Sequence, residues 1–213
     1  METLAFITAV NNSEMYSRCL ERLAKLRIPS DIQAVFVPIY NASSMTNAYN
    51  KVVFMKGKYK VYLHQDLLIM DDDFVYNMID TFKRHEDVGI LGVVGCEHMS
   101  ANGIWWEGII KGRFIDSHTG TLQEYVYSRT DDIDYVDALD GCILCTQYDI
   151  PWRNDLFKGW HFYDISQCYE FKKEGYKVGV MDFTVRHLCG ICNMNGYEEA
   201  RQLFVKAYLG EQK

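Results

Sequence analysis

VYLHQD, at residues 61–66, is a short apolar run that ends at a histidine and an acid. An apolar run of this length, entered from the polar residues 57–60, is typical of a buried strand. Strands of open α/β sheets end at the crevice in which ligands bind. His64 and Asp66 are two residues apart, so on an extended chain their side chains point to the same face. We therefore expect both at the mouth of a pocket, where they can hold a metal or a sugar nucleotide; the alternative is that Asp66 only caps the next turn.

The composition is that of one globular domain. The chain has 213 residues, of which 48% are hydrophobic, and this is enough for a complete core. Aromatic residues make up 14%, an excess that suits a site that stacks a base or a sugar but is also ordinary core material. The net charge of −7 disfavours nucleic acid as a partner, because nucleic-acid binding needs a basic surface. The sequence shows no signal-like start and no run of membrane-spanning length, so we expect a soluble, cytoplasmic protein with no transmembrane segment.

The seven cysteines leave two interpretations open. The pairs Cys142/Cys145 and Cys189/Cys192 have CxxC spacing, which allows a structural zinc. The two pairs lie far apart in the sequence, however, and the first falls in a strand-like run, where positions three apart face opposite sides. Free thiols buried in the core, in a reducing compartment, are the favoured interpretation.

Apolar periodicity predicts alternating strands and helices along the chain. Three acids, at residues 71–73, precede one of the helices and are interpreted as its solvated N-terminal cap; the alternative is a second metal site. The strand–helix alternation of the first half predicts an α/β fold with a mostly parallel central sheet and helices on both faces. The second half is expected to complete the same sheet, with short strands and loops over residues 97–135. Strands are predicted at 4–10, 32–39, 59–63, 88–95, 135–146 and 178–185, and helices at 14–26, 45–55, 74–85, 163–174 and 198–209.

Four polar segments lie at the ends of these predicted elements. They are the HQD of residues 64–66, the Asp140-Gly141 pair, the GWHFYD of residues 159–164 and the VRH of residues 185–187. Together with residues 41–50, this combination resembles the family 2 glycosyltransferases with the A-type nucleotide-sugar-binding fold. It is most similar to the StrF-like group, named for a streptomycin-biosynthesis protein, and the resemblance extends from residue 4 to about residue 187. The broad family has Asp-x-Asp at the third strand end; this chain has His64 in the first position, as the StrF-like group does.

The resemblance implies one Rossmann-like nucleotide-diphospho-sugar transferase domain over residues 1–213. Its nucleotide-binding half would comprise about residues 1–96, and its acceptor and catalytic half about residues 97–213. The implied reaction moves a sugar from a nucleoside-diphosphate sugar donor to a hydroxyl group of a glycan or small-molecule acceptor, with inversion at the anomeric carbon.

A divalent metal, Mn²⁺ or Mg²⁺, is the cofactor that the resemblance implies, with Asp66 and His187 as its ligands. A carboxylate oxygen with an imidazole nitrogen suits Mn²⁺ as well as or better than Mg²⁺. An ion on the phosphates would neutralise the charge that develops on the leaving group. The alternative for His187 is a histidine that is only hydrogen-bonded at a strand end.

Asp164 is the candidate general base, which would take the proton of the attacking acceptor hydroxyl. One base opposite the leaving group implies a single displacement. The alternative is that Asp164 is an ordinary acid at a helix N-terminus, where it complements the helix dipole.

The candidate substrate-binding residues come from several segments. The end of the first strand would contact the base and the ribose, and the two asparagines after the second strand would reach the nucleotide or its phosphates, or else face solvent. Asp140 and Gly141 would contact the donor sugar or only form a turn; Trp160 would wall a sugar subsite or only anchor the helix. The full set is Thr8, Ala9, Val10, Asn11, Asn47, Asn50, His64, Asp140, Gly141 and Trp160.

Three other functions compete with glycosyl transfer. The first is a non-catalytic relative of the same fold that binds a nucleotide or a glycan. The second is an interaction protein whose fold is stabilised by zinc bound at the CxxC pairs. The third is a nucleotidyltransferase, which would show a glycine-rich, basic loop after its first strand, where this chain has NNS at residues 11–13.

Overall fold

The computed structural model describes residues 1–128, 132–191 and 193–210 of the chain. Among these residues no helix is both long enough and apolar enough to cross a membrane. The strands are β1 (Glu2–Val10), β2 (Ile32–Tyr40), β3 (Tyr59–Leu63), β4 (Leu67–Ile69), β5 (Val88–Gly92), β6 (Val94–Cys96), β7 (Ile110–Asp116), β8 (Gln123–Val126), β9 (Ile133–Tyr135), β10 (Ala138–Leu139), β11 (Ile143–Thr146), β12 (Lys177–Met181) and β13 (Val185–His187). The α-helices are α1 (Ser13–Leu23), α2 (Met45–Asn50), α3 (Phe74–Arg84), α4 (Tyr163–Lys173) and α5 (Tyr197–Phe204).

The main sheet has seven strands in the order β2-β1-β3-β11-β5-β12-β9. The pairs β1–β2, β1–β3 and β5–β12 are parallel. β11 lies antiparallel between β3 and β5, and β9 pairs antiparallel with β12. The fold is α/β as expected, but the sheet is mixed rather than mostly parallel.

The mixed pairing follows from the connection that leads into β11. Parallel neighbours need a crossover connection, usually a helix. Between β5 and β11 the chain instead passes through the short strands β6 to β10, with no α-helix among the described residues of that stretch. It therefore enters the main sheet at the opposite end, and β11 runs antiparallel to its neighbours. A buried apolar strand has the same residue pattern in either direction, so the sequence did not reveal this.

A second sheet of short strands has the order β10-β6-β7-β13-β4, with β8 paired to β7. Two of the predicted strands, at residues 88–95 and 178–185, are each divided between the two sheets, as β5 with β6 and as β12 with β13. Because β13 pairs with β4 in the small sheet, His187 lies opposite Leu67, one residue beyond Asp66.

Helices cover both faces of the main sheet. Along β1, Leu4 and Phe6 belong to the core cluster that includes α1 and α3, whereas Ala5 and Ile7 belong to the cluster that includes α2 and α4. This alternation is the two-residue period of a strand that is buried on both faces. A third cluster, centred on Phe204, packs α5 onto α4.

The CxxC pair Cys142/Cys145 belongs to no candidate metal cluster among the described residues. Cys142 and Cys145 are free thiols with no solvent exposure, and both belong to the larger core cluster. Cys192, from the second pair, lies outside the described residues.

Candidate active site

An open cavity of about 320 Å³ lies at the carboxyl ends of β1, β2 and β3. This is the edge of an α/β sheet at which ligands generally bind. Of the residues singled out in the sequence, Ala9, Val10, Asn11, His64, Asp66 and Trp160 reach this cavity. The remaining wall residues are Ile39, Asn41, Ala42, Met45 and Gln65.

Gln65 fixes the end of β1 against the end of β3. Its Oε1 accepts hydrogen bonds from the backbone N–H groups of Asn11, at 3.0 Å, and Asn12, at 2.9 Å. Its Nε2 donates to the Asn11 side chain at 2.6 Å. The two N–H groups lie past the strand end, where they have no partner in the sheet. Gln65 was part of the HQD motif in the sequence but had no predicted role of its own.

The side chains of His64, Asp66 and His187 meet at one end of the cavity. His64 Nδ1 lies 3.0 Å from His187 Nε2, and His187 Nε2 lies 3.4 Å from Asp66 Oδ1. Their ligand atoms all lie within 4.8 Å of one another. Two imidazole nitrogens and one carboxylate oxygen are a donor set that suits first-row divalent ions. The family resemblance implied Asp66 and His187 as ligands and His64 as a substrate-binding residue; the structure places His64 in the same cluster, as the spacing of His64 and Asp66 allowed.

Asp116 orients His187 from the side away from the cluster. It is the last residue of β7 and lies in register with His187 across a parallel pair. His187 Nδ1 donates to Asp116 Oδ2 at 2.8 Å, while Asp116 Oδ1 accepts from the backbone N–H of His118 at 2.6 Å. A carboxylate behind a ligating histidine is a recurrent arrangement at metal sites, since it fixes the ring and raises its basicity. Asp116 was not predicted as a site residue, because residues 97–135 carry no recognisable motif.

Tyr163 orients His64 in the same way. Its hydroxyl donates to the backbone carbonyl of Gly141 at 2.9 Å and lies 2.6 Å from His64 Nε2. The hydroxyl proton is used on the carbonyl, so the oxygen accepts the proton of His64 Nε2. This leaves the lone pair of His64 Nδ1 directed at the cluster, which is the tautomer that a metal ligand needs.

The protonation states of the two histidines fit a cation site. Burial, together with the neighbouring charge of His187, lowers the pKa of His64 to about 4, so this ring is neutral. Burial also opposes charge on His187, but its hydrogen bonds to Asp116 and Asp66 outweigh that effect and raise its pKa to about 10. The proton on His187 Nε2 is the one that a bound divalent ion would displace. The residues present therefore fit a divalent metal.

Asp164 lies in the first turn of α4 and is partly buried. Its Oδ2 accepts a hydrogen bond from the backbone N–H of Gly141 at 2.9 Å. Burial, with the charge of Asp140 as the second cause, raises the pKa of Asp164 to about 7. A carboxyl group whose pKa lies near neutrality can both take and release a proton at physiological pH.

Asp140 and Gly141 link the histidine cluster to Asp164. Asp140 Oδ1 accepts a hydrogen bond from the backbone N–H of Cys142 at 2.8 Å. This is the turn interaction that was the alternative to a contact with the donor sugar. Gly141 is packed so closely that a Cβ there would lie 2.2 Å from the Tyr163 hydroxyl oxygen. One glycine thus contacts both the tyrosine that holds His64 and the candidate base.

Five of the residues assigned to the substrate do not belong to the cavity wall: Asp140 and Gly141, whose contacts are given above, and Thr8, Asn47 and Asn50. Thr8 is buried, with 1% of its surface exposed. The side-chain amide of Asn50 exchanges two 2.8 Å hydrogen bonds with the backbone of Trp152, so it holds a loop. Asn47 is partly buried, and its backbone N–H donates to the Ser44 hydroxyl that caps α2.

The sequence matches the model of the glycosyltransferase-like family over residues 5–208. The chain therefore belongs to the glycosyltransferase-like family. No match is found among curated proteins.

The fold is similar to that of several solved glycosyltransferases. A structure of GalNAc-T7 with UDP, GalNAc and Mn²⁺ has a TM-score of 0.64 at 8% identity, covering 90% of this chain and 44% of that one. The mannosyltransferase PcManGT from Pyrobaculum calidifontis, in complex with GDP-Man and Mn²⁺, has a TM-score of 0.63 at 10% identity and coverages of 99% and 65%. Residues 1–349 of TarS from S. aureus, in complex with UDP, have a TM-score of 0.58 at 12% identity and coverages of 99% and 67%. These likenesses show the A-type glycosyltransferase fold, and this chain spans about half to two thirds of the neighbours' length.

Proposed function

We propose that this chain is a metal-dependent, inverting glycosyltransferase. It would move a sugar from a nucleoside-diphosphate sugar to a hydroxyl group of a glycan or small-molecule acceptor. The observation that carries the proposal is the cluster of His64, Asp66 and His187 at the cavity. His64 is hydrogen-bonded to Tyr163, which lies in α4 next to Asp164. The sequence His64-Gln65-Asp66 at the strand end is the basis for placing the chain in the StrF-like group.

The cavity would receive the donor nucleotide. Its walls combine apolar surface from Ala9 and Val10 with polar groups from Asn11, and a volume of about 320 Å³ is of the order expected for a small-ligand site. Solved neighbours of this fold hold UDP or GDP-Man, which supports a nucleoside diphosphate as the ligand class. Trp160, which also lines the cavity, would contact the sugar.

His64, Asp66 and His187 would hold the metal ion, with Asp116 and Tyr163 fixing the two rings from behind. The ion, when bound, supplies positive charge to the phosphates of the leaving group. Two nitrogen ligands favour Mn²⁺ over Mg²⁺, because Mg²⁺ prefers an all-oxygen environment.

Asp164 would act as the base of a single displacement. The acceptor oxygen forms a bond to the anomeric carbon as the bond from that carbon to the phosphate oxygen breaks. The hydroxyl proton passes to the Asp164 carboxylate, and the nucleoside diphosphate leaves with the electron pair. Attack opposite the leaving group inverts the anomeric carbon. The buried thiols Cys142 and Cys145 are consistent with the reducing, cytoplasmic location that we propose for this reaction.

The first test is a thermal-shift series with UDP, GDP, dTDP, CDP and ADP, each with and without Mn²⁺. A ligand at a hundred times its dissociation constant stabilises the fold by about 2.7 kcal/mol, which corresponds to roughly 5–10 °C for a chain of this size. We expect one or two diphosphates to give a shift that needs Mn²⁺. The variant His187→Ala should lose the Mn²⁺-dependent part, whereas His98→Ala, at an exposed histidine outside the site, should keep it. Shifts with none of the five, or shifts that do not depend on Mn²⁺, would contradict the proposal.

A further inference from the structure

A strip of aromatic side chains runs from the cavity wall to the surface. Trp160 lines the cavity, and the next residue, His161, packs edge-on against Tyr197 with ring centroids 5.4 Å apart. Tyr197 also packs on Trp106, with a centroid distance of 5.4 Å. The two ends of the strip, Trp160 and Trp106, are 47% and 48% exposed. A contiguous exposed aromatic surface, unlike a single exposed side chain, is typical of a ligand-binding site.

The strip passes beside the candidate base. Tyr197 packs against Phe162, two residues before Asp164, with centroids 5.1 Å apart. Glu107 directly follows Trp106 in the chain, and Asp164 lies two residues after Phe162, so the residues that form or contact the strip are close in sequence to both carboxylates. A molecule on the strip would therefore lie next to Asp164.

The segment that carries Trp106 is fixed rather than loose. Arg201, on α5, donates to the backbone carbonyl of Asn102, and the Asn102 side chain donates to Glu107 at 2.7 Å. Gly103 adopts a positive φ of 78° and packs so tightly on α5 that a Cβ there would lie 2.9 Å from the Val205 side chain. A surface that is already ordered loses little entropy on binding a ligand.

The hydroxyl of Tyr197 supplies an independent observation. It is buried, and it has no hydrogen-bond partner in the described part of the chain. A buried polar group without a partner is destabilising, and such groups in native proteins call for a reason. Because this oxygen has no exposed surface, a water or a ligand hydroxyl would reach it through a shift of the side chains around Tyr197 on binding.

We propose that Trp106 and Tyr197 form the acceptor site and that the acceptor is a neutral saccharide, whose pyranose ring stacks on Trp106. This inference rests on the proposed function. The C–H groups on one face of a pyranose ring carry partial positive charge and pair with the negative face of an indole. Glu107 and His161, at the margins of the strip, offer partners for ring hydroxyls. An anionic acceptor would be repelled by the carboxylates of Glu107 and Asp164, whereas the nearby cation Arg201 is already paired with Glu198.

The test is saturation-transfer NMR with a mixture of neutral methyl pyranosides, namely glucoside, galactoside, mannoside and N-acetylglucosaminide, at millimolar concentration. The wild-type protein should transfer saturation to at least one of them. Trp106→Ala should reduce the signal at least fivefold. Tyr76→Ala should not, since Tyr76 is similarly exposed, at 46%, but lies at the amino ends of the strands. No transfer in the wild type, or equal transfer in Trp106→Ala, would overturn the assignment.

The nucleotide shift measured on the same samples separates the two proposals. Trp106→Ala should leave the Mn²⁺-dependent nucleotide shift unchanged, because Trp106 is not part of the cavity wall. If that shift is present and no saccharide binds, only the acceptor assignment fails. If a saccharide binds through Trp106 and no nucleotide gives a shift, the transferase proposal fails and the chain is a glycan-binding relative.

Discussion

Asp164 is held in an environment that disfavours its ionised form. Backbone hydrogen bonds, among them one from Gly141, favour the charged form, but the carboxylate is partly buried and lies near the charge of Asp140, and these effects outweigh them. A structural acid at a helix N-terminus would gain from a low pKa, because its charge complements the helix dipole. The opposite shift, to about 7, is what general acid–base chemistry near neutral pH requires.

Replacing Asp164 by asparagine should therefore remove transfer and keep donor binding. We expect Asp164→Asn to lower the transfer rate by about 10²–10⁴-fold, the usual contribution of a general base. The measurement is product formation together with the Mn²⁺-dependent nucleotide shift. Asp31→Asn, at an exposed position beside the amino end of β2, is the control. Transfer at the wild-type rate in Asp164→Asn would show that another group takes the proton.

The raised pKa of Asp164 should also appear in the pH dependence of the transfer rate and of stability. Transfer needs the ionised base, so its rate should fall about tenfold per pH unit below pH 7. Stability should change in the opposite sense. Between the ordinary value of 3.8 and about 7, the folded state keeps a proton that the unfolded state has lost, so stability falls as the pH rises through this range.

Asparagine at position 164 cannot ionise and should remove this decline. The stability of Asp164→Asn minus that of the wild type should be larger at pH 8 than at pH 5. The increase should be about 1–2 kcal/mol, or roughly 2–8 °C in Tm, allowing for partial exposure. Thermal melts of both proteins at the two pH values provide the measurement. A difference that is the same at both pH values would place the pKa of Asp164 in its ordinary range.

Asp116 should affect metal binding without touching the ion. It holds the His187 ring through Nδ1, and it is 2% exposed. We expect Asp116→Asn to weaken Mn²⁺-dependent nucleotide binding by about 10–100-fold, the usual effect of removing such a partner. The Mn²⁺ affinity of each protein is measured by titrating Mn²⁺ into the folded protein at saturating nucleotide. Unchanged Mn²⁺ affinity would mean that His187 is not a ligand or does not need this orientation.

At the scale of the elements, the start of α4 is the feature that shapes the candidate site. Phe162, just before the helix, adopts a left-handed conformation with φ of 60°, which a bulky residue seldom does. This costs about 1 kcal/mol or more, and the packing of Phe162 against Phe204 and Tyr197 holds it in place. The sharp entry directs the first turn of α4, with Tyr163 and Asp164, at Gly141.

Gly141 is the contact on which this arrangement depends. A Cβ at position 141 would lie 2.2 Å from the Tyr163 hydroxyl oxygen and 2.9 Å from the Asp164 Cβ, so one of these side chains must move. We expect Gly141→Ala to cost about 1–3 kcal/mol, as overpacking usually does, and to reduce transfer. Gly159→Ala is the matched control, because no atom lies within 4 Å of its added Cβ. Chemical denaturation measures both variants, and equal stability would show that Tyr163 is not fixed by Gly141.

At the scale of the whole molecule, the two sheets bring the halves of the site together. The main sheet positions β1, β2 and β3 at the cavity, and the small sheet brings His187 and Asp116 beside the end of β3. The C-terminal helix α5 then packs on α4 through Phe204, which has no exposed surface. The candidate base, the metal ligands and the aromatic strip are thus parts of one packed unit.

Phe204 should therefore contribute strongly to overall stability. Its ring packs against Phe162 and Tyr169 at centroid distances of 5.4 Å and 5.1 Å. We expect Phe204→Ala to lower the free energy of unfolding by about 3–5 kcal/mol, in the range for buried phenylalanines. Leu203→Ala, at a neighbouring side chain that is 42% exposed, should change it by about 0.5 kcal/mol or less. Urea denaturation measures the free energy of unfolding of both variants. Similar losses in Phe204→Ala and Leu203→Ala would mean that α5 does not belong to the cooperative unit.

The sequence by itself determined the local elements and the ends at which polar residues lie. β3 occupies the predicted residues 59–63, and α3 and α4 end within one residue of their predicted ends, because apolar periodicity and terminal residues are local signals. His64 and Asp66 stand at the expected strand end on the cavity, and the family expectation is confirmed over most of the chain. The role of Asp164 and the identity of the metal stay predictions.

Only the tertiary structure decided the direction of β11, the second sheet and the partners of the site. Lys60 is an example: it is fully buried in a central strand, where Asp149 pairs with it from 89 residues away. Asp116, Tyr163 and Gln65 likewise act on residues distant in the chain. Periodicity reports which residues are buried, whereas pairing direction and side-chain contacts depend on connections that fold segments far apart in sequence onto one another.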